Sequence, residues 1–143
     1  MSLETWKKKY YPVPADKVTK AVAIQHSLTK WIGLRETNLR EHGLLIGMRG
    51  LSAPERPLER LEINSTTCAL CCLYYGKLPK RENGPCFNCP LYRVRGGYAC
   101  DCFTPSKDGN GEAPWVAFSL DDDPEPMIKC LRKALAVQRK GGK

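Results

Sequence analysis

The sequence lacks any run of apolar residues approaching the ~20 that a membrane-spanning helix requires. Its first eleven residues carry three lysines with no apolar stretch behind them, so they do not read as a secretory signal. Neither common spacing of a Gly-rich phosphate loop occurs, which removes the nucleotide-binding classes built on those loops. Histidine is scarce. Only His26 and His42 are present, both N-terminal to the cysteines, and this thins the supply of general bases. What remains is a chain of 143 residues, long enough for one ordinary domain. It is 42% hydrophobic and 27% charged, compatible with a folded core of modest size.

Cysteine is over-supplied. The eight are Cys68, Cys71, Cys72, Cys86, Cys89, Cys100, Cys102 and Cys130, and seven of them fall between Cys68 and Cys102. With no signal peptide, the expected compartment is the reducing cytoplasm, where paired cysteines serve as metal ligands or redox groups more often than as a disulfide framework. Cys68-Ala-Leu-Cys71 and Cys86-Phe-Asn-Cys89 form two Cys-x-x-Cys pairs, with 14 residues between Cys71 and Cys86. A two-residue gap lets a tight turn set both thiolates on one ion at about 2.3 Å, and two such turns complete a tetrahedron. Four thiolates favour structural zinc, with an iron–sulfur cluster next. Cys100 or Cys72 could replace one of the four. Cys102 is expected on the opposite side of an extended segment from Cys100, and Cys130 reads as a small buried hydrophobe.

The first part of the chain, 1–57, reads as helical. Asp16 can cap a helix through Val18, Ala21, Val22, Gln25, Leu28, Trp31 and Ile32, ended by Gly33. A shorter helix follows from Glu36 to His42, with Gly43 as a left-handed cap. The stretch from Leu44 to Pro57, with its glycines and prolines, suits a loop. The second part, 58–103, opens with a short strand at Leu58–Ile63 and continues as the cysteine module, with a solvated loop or hairpin from Gly76 to Pro85. Pro90 suits the first turn of a helix whose N-terminus holds Cys89, as in treble-clef and zinc-ribbon modules. The last part, 104–143, is a loop, a possible strand over Trp115–Leu120, and an amphipathic helix. That helix has Asp123 as N-cap and an apolar stripe through Met127, Cys130, Leu131, Ala134, Leu135 and Gln138. The expected fold is a small, mainly helical α+β domain with a central zinc-knuckle module and little strand.

Enzyme readings fare poorly. Pro85-Cys86-x-x-Cys89 is half of a zinc deaminase signature, but no His-x-Glu or Cys-x-Glu accompanies it. Four metal-bound thiolates cannot act as nucleophiles, and both histidines read as satisfied or surface groups. A non-enzyme is expected, with no small-molecule substrate and no membrane partner. The formal net charge is +8. Lys77, Lys80 and Arg81 lie in the cysteine module's loop, while Arg93 and Arg95 are interleaved with Tyr92 and Tyr98. Such a set could neutralise phosphates and stack on unpaired bases, or simply form a solvated basic face. The competing expectation is an adaptor for another protein, with Trp6, Tyr10, Tyr11 and Pro12 as an aromatic arm packed on the body or on a partner.

Further residues carry a resemblance. Tyr11-Pro-Val-Pro14, His26-Ser-Leu, Lys30-Trp-x-Gly-Leu-Arg35, Asn38-Leu-x-x-His-Gly43, Cys68-x-Leu-Cys71 and Cys86-x-x-Cys-Pro-Leu91 together resemble short proteins of phages and prophages. The resemblance covers most of the first hundred residues. It implies a small accessory protein of viral origin in the host cell cytoplasm, acting on host or viral protein, or on nucleic acid.

Overall fold

The computed structural model describes residues 2–47, 50–74, 89–95 and 113–140. In order, these form helix α1 (Leu3–Tyr10), single 3-10 turns at Ala15–Lys17 and Lys20–Val22, α2 (Ala23–Gly33) and α3 (Glu36–Glu41). Strands β1 (Leu45–Gly47), β2 (Gly50–Ala53) and β3 (Arg56–Glu62) follow, then a 3-10 turn at Ser65–Thr67. Helices α4 (Ala69–Tyr74), α5 (Pro90–Val94), α6 (Pro114–Asp121) and α7 (Glu125–Lys140) complete the described chain. The result is a small α+β domain, mainly helical. No helix among the described residues is long and apolar enough to cross a membrane.

Helix α2 is the hub, packed against α1, α4 and α7. Its residues Ala23, Ile24, Ser27, Leu28, Lys30, Trp31 and Gly33 are buried, which leaves solvent little more than one edge. Helix α6 adds an aromatic flank to the α2–α7 interface. Trp31 meets Phe118 edge-on at 4.8 Å between ring centroids and Trp115 at 6.0 Å, while Met127, Ile128, Leu131 and Ala134 of α7 are buried. Edge-to-face contacts of this kind add about 0.5–1.5 kcal/mol each beyond area burial. A forked ion pair closes the same seam at its rim, with Arg35 Nε 2.8 Å and Nη2 3.0 Å from the Glu125 carboxylate. Both side chains are partly solvated, so screening holds its contribution to about 1 kcal/mol at most.

Several elements match the reading of the sequence. Gly43 has φ +66 after α3, α5 begins at Pro90 with Cys89 in the capping position, and β3 overlaps the expected strand. Near the expected cap of the last helix, Asp123 Oδ1 accepts the Glu125 N–H at 3.0 Å, although α7 begins at Glu125 and Pro124 occupies the capping place itself.

Other elements differ. The helix expected from Asp16 begins only at Ala23, because β-branched Val18 and Thr19 take extended backbone between two 3-10 turns. The aromatic arm is itself helical and belongs to the core: Ser2 caps α1 through a reciprocal pair with Thr5, and Trp6, Tyr10 and Tyr11 are buried. Trp115–Leu120 is helix instead of strand. Pro114 starts it, and helical spacing brings both Trp115 and Phe118 onto Trp31, a reward that outweighs their β-propensity. The expected loop at Leu44–Pro57 contains β1, β2 and the start of β3, so there is more strand than expected. The three strands pair antiparallel in the order β1-β2-β3, with Leu51 opposite both Ile46 and Leu61. Arg60 lies across Gly50 to reach the Gly47 carbonyl at 3.1 Å, which explains why a glycine occupies that place in the sheet.

Gly33 marks the closest approach of α1 and α2. A Cβ there would overlap the Tyr10 ring, and the Trp6 indole N–H donates to the Gly33 carbonyl at 2.8 Å. Tyr10 cannot swing aside easily, since Trp6 and His42 flank its ring. Gly33→Ala is therefore expected to destabilise by roughly 1–3 kcal/mol through overpacking, which exceeds the propensity gain of up to ~1 kcal/mol. A urea midpoint that fell with an unchanged slope would bear this out, and an unmoved midpoint would contradict it.

Candidate metal centre

Cys68 stands directly before α4, so the first turn of that helix folds over its sulfur. The Cys72 N–H donates to the Cys68 carbonyl at 2.9 Å, and the Cys71 N–H lies 3.5 Å from Cys68 Sγ. Asn64 and Thr67 build the approach: Thr67 Oγ1 donates to the Glu62 carbonyl at 2.7 Å and accepts the Asn64 N–H at 3.2 Å. The Cys68–Cys71 pair is thus held by a turn of the kind its spacing requires. Cys72 points back instead, with Sγ 3.7 Å from the Thr66 carbonyl. Of the two candidates for the second ligand of this pair, Cys71 is the one whose backbone N–H reaches the Cys68 sulfur.

Two residues of α2 face the same sulfur. Ser27 Oγ is 4.0 Å from Cys68 Sγ, and the Lys30 ammonium donates to the Thr67 carbonyl at 2.9 Å while lying over the Trp31 ring, 5.4 Å from its centroid. A buried ammonium costs several kcal/mol unless opposite charge and dipoles surround it. Together these groups draw the Cys68 thiol well below its ordinary range, to about 5. The Cys71 side chain, hydrogen-bonded to the Cys68 sulfur, contributes most. Burial opposes, and the charge of Lys30 and the backbone N–H groups of Cys71 and Leu70 reinforce the lowering. Cys68 is thereby prepared as a thiolate, the form in which cysteine binds metals.

The second pair is described at one member. Cys89 is buried before α5, and its carbonyl accepts the Arg93 N–H at 3.4 Å. Helix α4 packs on α2 and α5 packs on α7, and α2 and α7 pack along each other, so each half-site is borne by a helix resting on one side of that seam. Cys86 and Cys100 lie outside the described residues, as do Cys102, Lys77, Lys80, Arg81 and Tyr98. Among the described residues no two cysteines are joined by a disulfide, and no group of three or more metal-binding side chains is gathered. Cys130 is half-buried on α7 against the core. Of the remaining basic and aromatic candidates, Arg93 is exposed, Tyr92 half-buried and Arg95 buried.

Both histidines are tied elsewhere. His26 Nε2 donates to the Val13 carbonyl at 2.6 Å, and burial, with Lys30 nearby, pushes its pKa down. His42 Nδ1 is 2.9 Å from Thr5 Oγ1. Ser27 and Lys30 were not singled out as site residues in the sequence. Their signal is a helical row, Ala23, Ser27, Lys30 and Leu34, in which two polar residues share a face with two apolar ones. No family model, curated protein or solved structure shows significant similarity to the chain.

The Cys68 environment fixes a pH dependence. Its folded pKa of about 5 lies below the ordinary thiol value of 9.0, so between these values the unfolded chain holds more protons than the folded one. Stability of the metal-free, reduced protein is therefore expected to rise with pH across that window and to be lost as pH falls through about 5. Thiolate ultraviolet absorbance should show one cysteine already ionised at neutral pH. Absence of that absorbance would refute the assignment.

Proposed function

We propose that the chain is a metal-stapled binding protein, in which one structural zinc organises the centre and the assembled surface engages a partner protein without transforming a substrate. The ligands on this reading are Cys68, Cys71, Cys86 and Cys89, with Cys100 or Cys72 as possible replacements. The observation that carries it is Cys68, held by the first turn of α4, with an N–H on its sulfur and a buried lysine close by. These residues fit a metal–thiolate centre: the donor is soft, anionic at neutral pH and paired at knuckle spacing. Zinc would supply no reaction here. It would tie the α4 side of the core to the α5 side, and free energy of metal binding would become free energy of folding. An iron–sulfur cluster is the alternative occupant. The resemblance to phage and prophage proteins points to a host or viral protein as the partner.

One observation favours nucleic acid as a second reading. The exposed face of α7 presents Lys129, Arg132, Lys133 and Lys140 at i, i+3, i+4 and i+11, and none of them forms an ion pair with a described residue. A cationic stripe of that kind suits a phosphate backbone.

Protein purified without added metal is expected to carry one zinc per chain by mass spectrometry, and Cys68→Ser or Cys89→Ser to lose it and unfold the centre. Chelation that demonstrably removes the metal should lower the melting temperature. A preparation holding neither zinc nor iron would defeat the reading. Oligonucleotide binding that weakens steeply with salt, and falls on Lys129→Glu/Lys133→Glu, would favour the second partner class over the first.

A further inference from the structure

Between the segment that follows α1 and the solvent edge of α2 lies a cavity of about 320 Å³. That is the lower end of the range for small-molecule sites, roughly 300–1,000 Å³. Its walls are held by contacts that need no occupant. His26 Nε2 donates to the Val13 carbonyl at 2.6 Å, the Tyr11 hydroxyl accepts the Ala15 N–H at 2.9 Å, and the Tyr11 ring meets the His26 ring edge-on at 5.2 Å. The segment is thereby pinned to α2 at Val13 and to itself at Ala15. A space formed in this way leaves little ordering cost to be met on binding.

The lining is apolar with a single charge. Tyr10 and Val18 are buried there, while Val13 and Val22 remain 41% and 53% exposed. Covering two solvated valines at one opening is favourable. Gln25 and Thr29, joined by a hydrogen bond of 3.1 Å, add polar edges. Burial keeps His26 neutral at pH 7, and no carboxylate is among the lining residues. Lys17 lines the cavity and forms no ion pair with a described residue, so its ammonium is the one formal charge in the lining.

We infer that this cavity binds a small amphiphilic carboxylate, whose apolar body covers Val13, Val18 and Val22 while its anionic head meets Lys17. The pairing follows from charge complementarity: an apolar body alone would leave the ammonium unused, and a cationic ligand would be repelled by it. A doubly charged head is disfavoured, because one lysine offsets only one charge. No cysteine lines the cavity, so the inference is independent of the metal reading.

The test titrates the full chain with phenylbutyrate and with the corresponding neutral alcohol, followed by backbone amide shifts in nitrogen–proton correlation spectra. Phenylbutyrate should bind, with its largest shifts at Val13, Val18, Val22 and Gln25. Lys17→Gln should weaken phenylbutyrate by about two- to five-fold, the span of an exposed ion pair, and leave the alcohol unchanged. Lys17→Glu should weaken the acid further. Val22→Glu places a carboxylate at the opening and should abolish the phenylbutyrate shifts. Lys17 and Val22 are both exposed, and circular dichroism checks that each variant is folded. Shifts confined to other parts of the molecule, or none up to the solubility limit, would overturn the site. An acid that loses no more affinity than the alcohol on Lys17→Gln, or an alcohol that binds where the acid does not, would overturn the anionic ligand class.

Discussion

Almost everything in this structure answers to the burial of one helix. With α1 on one side, α4 on another and α7 along its length, α2 keeps only one edge for its ordinary polar residues, yet it contains Ser27 and Lys30 on its most secluded row. A buried lysine is tolerated only where its surroundings supply compensation. Here the Thr67 carbonyl, the Trp31 face and the Cys68 sulfur do so, and each reaches its place through a separate local device. The 3-10 turn at Ser65–Thr67 presents the carbonyl, α2 itself presents the indole, and the start of α4 presents the sulfur. Core packing and site chemistry therefore share the same residues.

The legible parts of the fold were those written in local chemistry. Gly43 at positive φ, Pro90 at the start of α5 and the Asp123 side chain on the first N–H of α7 all act within a turn of themselves, so short windows of sequence reveal them. The missed parts depended on distant partners. Trp115 and Phe118 have good strand propensity, and only the presence of Trp31 makes helical spacing the better choice. Strands β1 and β2 are short and glycine-bounded, and the feature that orders them is an arginine from β3 reaching over Gly50. α1 hid for a similar reason: its stripe is two aromatic residues, Trp6 and Tyr10, in a lysine-rich segment, and their burial follows from the close approach at Gly33.

For the candidate site, the turn that joins Cys68 and Cys71 could be read directly, because a Cys-x-x-Cys turn is a local object. What surrounds the sulfur could not. Lys30 lies 38 residues before Cys68, and a lysine in a helix ordinarily marks its solvated face. The cue was present in the row Ala23, Ser27, Lys30 and Leu34, but reading it required knowing that this face is covered.

The fork between Arg35 and Glu125 joins residues 90 apart in sequence and sits on the rim of the α2–α7 seam. All seven clustered cysteines lie inside the loop that this seam closes. For a flexible loop, closure entropy grows only with the logarithm of length, and here the outer closure is made by aromatic packing and an ion pair. Under the proposed metal reading, an ion would have only the shorter inner loops left to close. The seam would then act as a preassembled frame, raising the effective concentration of one cysteine pair for the other. The length of the intervening polypeptide would be a weak determinant of metal affinity, and insertions there would be better tolerated than changes to the helices that carry the frame.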